Sequence, residues 1–158
     1  MEQYENLVKE ANRCFQSADH LTYVTYNLLK DKRLILSIIQ NLYVASLSSI
    51  AAILHYEKLY KQISTLPLDI DSRIHMFENT IAKKYNIDSG AVRVVKELKL
   101  ILDQHKNSPL AFSRKDNLVI CSEDFTIINV VDINKLKNYV TSIRELVGMV
   151  NRICMNQK

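Results

Sequence analysis

Apolar residues recur every three or four positions from Tyr4 to Leu29, at 4, 8, 11, 15, 18, 22, 25 and 29. That spacing keeps one side of an α-helix apolar and predicts a helix with a single buried stripe. The charged corner KDKR follows at 30–33, and a second apolar segment runs from about Leu34 to Ile63. Two helical segments joined by so short a corner predict an antiparallel hairpin, which Pro67 closes. Asp69 or Asp71 is placed to cap a third helix with the stripe Ile70, Ile74, Phe77 and Ile81, stopping near Asn86. Asp88 or Ser89 caps a fourth, with Ala91, Val94, Val95, Leu98, Ile101, Leu102 and His105 facing inward. It must end before Pro109, which lacks an N–H and crowds the preceding turn.

The pattern then changes period. In LVICSEDFTIINVVD, residues 118–132, β-branched and aromatic residues flank the polar turn SED, which predicts a β-hairpin. Phe112 to Arg114, ahead of the turn KDN, offer a third short strand. Asp132 caps a last helix in which Ile133, Leu136, Val140, Ile143, Val147, Val150 and Cys154 keep a seam for three heptads. The prediction is a mainly α fold: an up-and-down bundle of about five helices, with a small β-hairpin insert at about 111–131 before the last helix. It occupies one domain over 1–158.

Residues 34–54, LILSIIQNLYVASLSSIAAIL, carry no charge and are long enough to span a bilayer. Ser37, Gln40, Asn41, Ser46, Ser48 and Ser49 interrupt the run, and each would need a partner in lipid. The other helices are amphipathic and supply covers, so the expected role is a central bundle helix. Asn41, Ala45, Ser48 and Ala52 form a strip of small residues along it, which with the seam of the last helix predicts a homodimer.

Composition narrows the chemistry. The chain has 158 residues, 47% hydrophobic and 24% charged, which suits one globular domain. Only Gly90 and Gly148 occur, where average usage would give about eleven glycines. Loops that wrap backbone around phosphate need several glycines, so Walker A and Rossmann fingerprints are excluded, and no nucleotide cofactor is expected. Cys14, Cys121 and Cys154 are widely separated, and no CxxC exists, which predicts free buried thiols and excludes a structural zinc site built on cysteine. The start MEQYENLVKE lacks the apolar run of a signal peptide, so the expected location is cytoplasmic. The net charge of +4 is compatible with RNA binding without demanding it.

The stretches SADHLTYVTYNLLKDKRLIL and SPLAFSRKDNLVIC resemble a group of small archaeal proteins of unassigned function. At the level of fold, a long helical hairpin followed by up-and-down helices is similar to the HEPN superfamily. That resemblance implies a metal-independent ribonuclease working as a dimer through an Arg-x(4 to 6)-His motif. RCFQSADH, residues 13–20, supplies Arg13 and His20 with six residues between them, in the first helix rather than near the last, where the superfamily carries its motif.

The chemistry of such a pair is coherent. A histidine moves the proton of a ribose 2′-hydroxyl while an arginine stabilises charge developing on phosphate. Seven helical residues rise about 10 Å, however, so the two side chains would have to reach toward each other or act across a dimer. On the helical wheel Arg13, His20 and Asn27 lie nearly opposite the buried stripe, with Asp19 and Tyr26 on the adjoining column, so the bland alternative is a solvated polar face. Asp71, His75 and Glu78 share a flank of the third helix, but no matching ligand pair exists elsewhere, and no metal is expected.

Basic residues interleave with tyrosines at Tyr23, Tyr26, Lys30, Lys32 and Arg33, and again in HYEKLYK, residues 55–61; in an antiparallel hairpin these lie at opposite ends. Ser113, Arg114, Lys115 and Asp116 form the densest charged loop, where binding residues concentrate. His55 and His105 read as core histidines. The function expected first is a non-enzymatic binding or interaction module with RNA or a partner protein as its ligand, using Tyr23, Tyr26, Arg33, Arg114 and Lys115. The alternative is the ribonuclease using Arg13 and His20.

Overall fold

The structure, a computed structural model, describes residues 2–31, 33–60, 62–107, 111–114, 117–121 and 128–156. Among them are five helices and a three-stranded sheet. Helix α1 covers 3–29 and is α-helical over Gln3–His20 and Tyr26–Leu29, with a π turn at Leu21–Thr25 between. Helix α2 is Arg33–Leu59. Helix α3 covers 70–84, with a second π turn at Phe77–Ile81. Helix α4 is Ser89–Asn107 and helix α5 is Ile133–Met155. Strands β1 (Ala111–Arg114), β2 (Asn117–Cys121) and β3 (Ile128–Val131) pair antiparallel in that order. The third strand offered by Phe112 to Arg114 is therefore present, with Arg114 opposite Asn117.

The caps are those the polar residues predict. Asp69 accepts from the Ser72 N–H at 2.9 Å, and Asp132 from the Lys135 N–H at 2.7 Å. Helix α3 stops at Lys84, and Asn86 takes a left-handed φ of 54°. Helix α2 is shorter than expected and ends at Leu59 rather than near Ile63. Its last turn widens, since the Glu57 carbonyl accepts from the Gln62 N–H at 2.8 Å, and the chain leaves the helix there.

Helix α2 is the axis of the bundle. It packs on α1, α5, α4 and α3, and Ile35, Ile38, Ile39, Leu42, Ile50, Ile53 and Leu54 are almost wholly enclosed. Removing each such side chain from water contributes roughly 2 kcal/mol. The uncharged run thus belongs to the core. Among the described residues it is the one helix long and apolar enough to cross a membrane. Ala45, Ser48 and Ala52 of the small-residue strip are buried, as are Leu136, Val140, Ile143, Val147, Val150 and Cys154 of the α5 seam. The two seams that favoured a homodimer are therefore both used within one chain.

Three contacts fix the direction of α5 against α1. Asn12 meets Asn151, Asp19 meets Arg144 and Tyr23 meets Lys137, so the two helices run antiparallel. Tyr4 and Tyr56 stack edge to face at 5.3 Å, which makes α1 and α2 antiparallel as well. One end of the bundle accordingly holds the end of α1, the start of α2 and the start of α5. The sheet joins there, since β3 leads directly into α5 and Val131 is in the core.

Candidate functional site

Arg13, Gln16, Ser17 and His20 occur at i, i+3, i+4 and i+7, so the 3.6-residue period puts them on one face of α1. Leu34, Ser37 and Asn41 share a face of α2 for the same reason. Together with Leu21 these side chains line an open groove of about 640 Å³ between the two helices. The expected pair therefore borders a single groove. Among the described residues its lining offers one guanidinium, one imidazole, four neutral hydrogen-bonding side chains and no carboxylate. Asn41 donates to the Ser37 carbonyl at 2.8 Å and the Ser17 hydroxyl to the Arg13 carbonyl at 3.2 Å, each tying a side chain back to its own helix.

What the groove lacks is as informative. Asp19, next to His20 in sequence, accepts instead from Arg144 of α5 at 2.7 Å. Among the described residues nothing hydrogen-bonds the His20 ring. Catalytic histidines are usually oriented by such a partner.

None of the known family models, curated proteins or solved structures matches this chain. Its chemistry is therefore read from its own side chains.

The remaining candidates divide. Tyr23 is half-exposed, with the Lys137 ammonium 5.6 Å from its ring centroid. Tyr26 is only 3% exposed and belongs to the core, so its ring is no platform for a base. The cause is the π turn, which accommodates one more residue per turn and advances the buried stripe by one position. The Tyr26 N–H donates to the Leu21 carbonyl, five residues back, and Leu29, expected inward, faces solvent. Arg33 is exposed and grips Asp31 with its Nη2 at 2.8 Å, holding that carboxyl below its usual range. Arg114 lies on β1, and Lys115 lies outside the described residues.

Helix α3 offers no metal centre. Lys99 binds Asp71 and Lys96 binds Glu78, each at 2.8 Å, while Asn79 engages the His75 ring. Among the described residues no group of three or more His, Cys, Asp or Glu side chains could hold an ion. His55 is half-buried, and burial lowers its pKa, with Arg73 and Lys58 adding to the effect.

One polar cluster was not expected. Glu57, 2% exposed, accepts from Lys84 Nζ at 2.8 Å and from the Tyr85 hydroxyl in a short contact. Burial and the carboxylate together raise the Tyr85 pKa, since a phenol that donates to an anion resists ionising. Cys154 lies within reach of the same charge, and burial, then Glu57, pushes its thiol up to about 12. Glu57 continues the buried series Ile50, Ile53 and Leu54, and that register is the signal that marks it as an inward carboxylate.

Proposed function

We propose that the chain is a non-enzymatic helical-bundle module that binds a phosphate-bearing ligand, RNA in the first instance, in the groove between α1 and α2. The observation that supports this is the lining itself, in which Arg13, His20 and neutral polar side chains stand together with no carboxylate among the described residues to repel an anion. Phosphate contacts of this kind give affinity without sequence readout and are weakened by salt. The corner at Arg33 sits at the neighbouring end of the bundle, where α2 begins, and extends the same electropositive approach. Fluorescence anisotropy with a labelled single-stranded RNA tests this. Arg13→Glu weakens binding about tenfold and flattens the salt dependence; equal affinity for wild type and variant removes the groove from the reading.

The second reading is a HEPN-like metal-independent ribonuclease using the same Arg13 and His20. Their sharing of one groove favours it. The commitment of Asp19 to Arg144 weighs for binding over turnover, because among the described residues no carboxylate hydrogen-bonds the His20 ring. A homodimer would bring two such grooves together through a face other than the α2 and α5 seams.

A further inference from the structure

The corner between α1 and α2 carries an inference independent of the groove. Leu28 is 78% exposed, Leu29 65% and Val24 43%, whereas Tyr26 between them is buried. At about 100° per residue, Leu28 stands about 200° from Tyr26 around the helix, and Val24 lies about as far in the opposite sense. The two therefore form one ridge pointing away from the core. Single exposed leucines are ordinary; an adjacent pair extended by a valine makes a continuous apolar patch at the tip of the corner.

Cations adjoin this patch. Lys30 and Arg33 follow it closely in the chain, and the one carboxylate between them, Asp31, is gripped by Arg33. Lys30 is exposed on a left-handed backbone at φ 51°, directly after Leu29. Lys137 reaches over the Tyr23 ring from the α5 side. Side chains exposed to this degree project from the surface rather than line a recess. A projecting leucine pair rimmed by ammonium groups fits a soft, flat, anionic surface better than it fits a rigid protein, which would need a complementary cavity.

We propose that this corner docks the protein on an anionic lipid bilayer. Leu28, Leu29 and Val24 enter the boundary of the acyl chains, while Lys30, Arg33 and Lys137 meet headgroup phosphates and carboxylates. Helix α2 stays in the protein core throughout, so the chain lies on the membrane and does not span it.

Co-sedimentation with vesicles of phosphatidylcholine, with and without phosphatidylserine, tests the docking. The expected result is binding to the phosphatidylserine vesicles alone. Leu28→Asp/Leu29→Asp should weaken it by about tenfold or more and Lys30→Glu/Lys137→Glu by several-fold, with unchanged helical circular dichroism. No binding to either vesicle, equal binding to neutral vesicles, or full binding by the leucine variant overturns the proposal. So does self-association of the wild type that the leucine variant abolishes, which would make the corner a contact between copies. RNA affinity measured on the uncharged Leu28→Ser/Leu29→Ser variant should be unchanged while its vesicle binding falls, so failure of the groove reading and failure of this one are told apart.

Discussion

The two ends of this bundle solve opposite problems. At the Glu57 end a carboxylate lies inside the protein and is answered by Lys84 and by Tyr85. At the Leu28 end Leu28 and Leu29 lie outside, and none of the described residues covers them. A buried charge must be partnered because desolvation costs several kcal/mol. An exposed apolar side chain costs the fold little, so it persists wherever stability does not remove it. The contrast teaches that the polar residues of one end serve stability, while the apolar residues of the other are available for contact.

That contrast can be broken from either end. The largest difference expected is in thiol chemistry. With its pKa at about 12, Cys154 presents almost no thiolate, and peptide-resolved alkylation at pH 8 should find it at least about a hundredfold slower than in urea. Rapid labelling in the native state would show that the Glu57 end is open. Next, Lys84→Met leaves Glu57 buried with Tyr85 as the side-chain donor that remains among the described residues, and should destabilise the fold by about 2–3 kcal/mol in urea titrations. Tyr85→Phe removes the other donor while Lys84 stays, for about 1–2 kcal/mol. At the opposite end Leu28→Asp/Leu29→Asp should change stability by less than about 0.5 kcal/mol, since exposed positions tolerate substitution. A loss as large as that of Lys84→Met would mean the leucines are packed after all.

The smallest effect is that of pH. The folded pKa of His55 lies below its unfolded value of about 6.5, so between the two the unfolded chain holds more protons. Stability is then complete above about pH 6.5 and declines as pH falls through the folded pKa. His55→Gln should flatten that part of a stability-versus-pH curve; an unchanged slope assigns the decline to other groups.

The fold was legible because each helix carries its period and caps in the sequence. The stripes of α3, α4 and α5, the caps Asp69 and Asp132, and the strands from Phe112 to Val131 are all local patterns. The π turn at Leu21–Thr25 is not such a pattern. It depends on how α1 packs against α2 and α5, and a strict helical period therefore placed Tyr26 outside and Leu29 inside. Groove partners were half-legible: Arg13 and His20 are visible as a heptad pair, whereas Ser37 and Asn41 read only as interruptions of an apolar run until α2 is laid beside α1. Glu57 could have been found from its register with Ile50 and Ile53. Its partners could not, because Lys84 and Tyr85 lie at and just past the end of α3, far from Glu57 in sequence.

The most direct test of binding without turnover is to incubate purified protein with a pool of labelled structured RNAs in EDTA, beside a His20→Ala variant of equal helicity, and to follow retention and cleavage together. Binding without turnover requires that the wild type retain RNA and leave it intact. Cleavage products ending in cyclic phosphate, present with the wild type and absent with His20→Ala, would contradict it and make the Arg13 and His20 groove an active site.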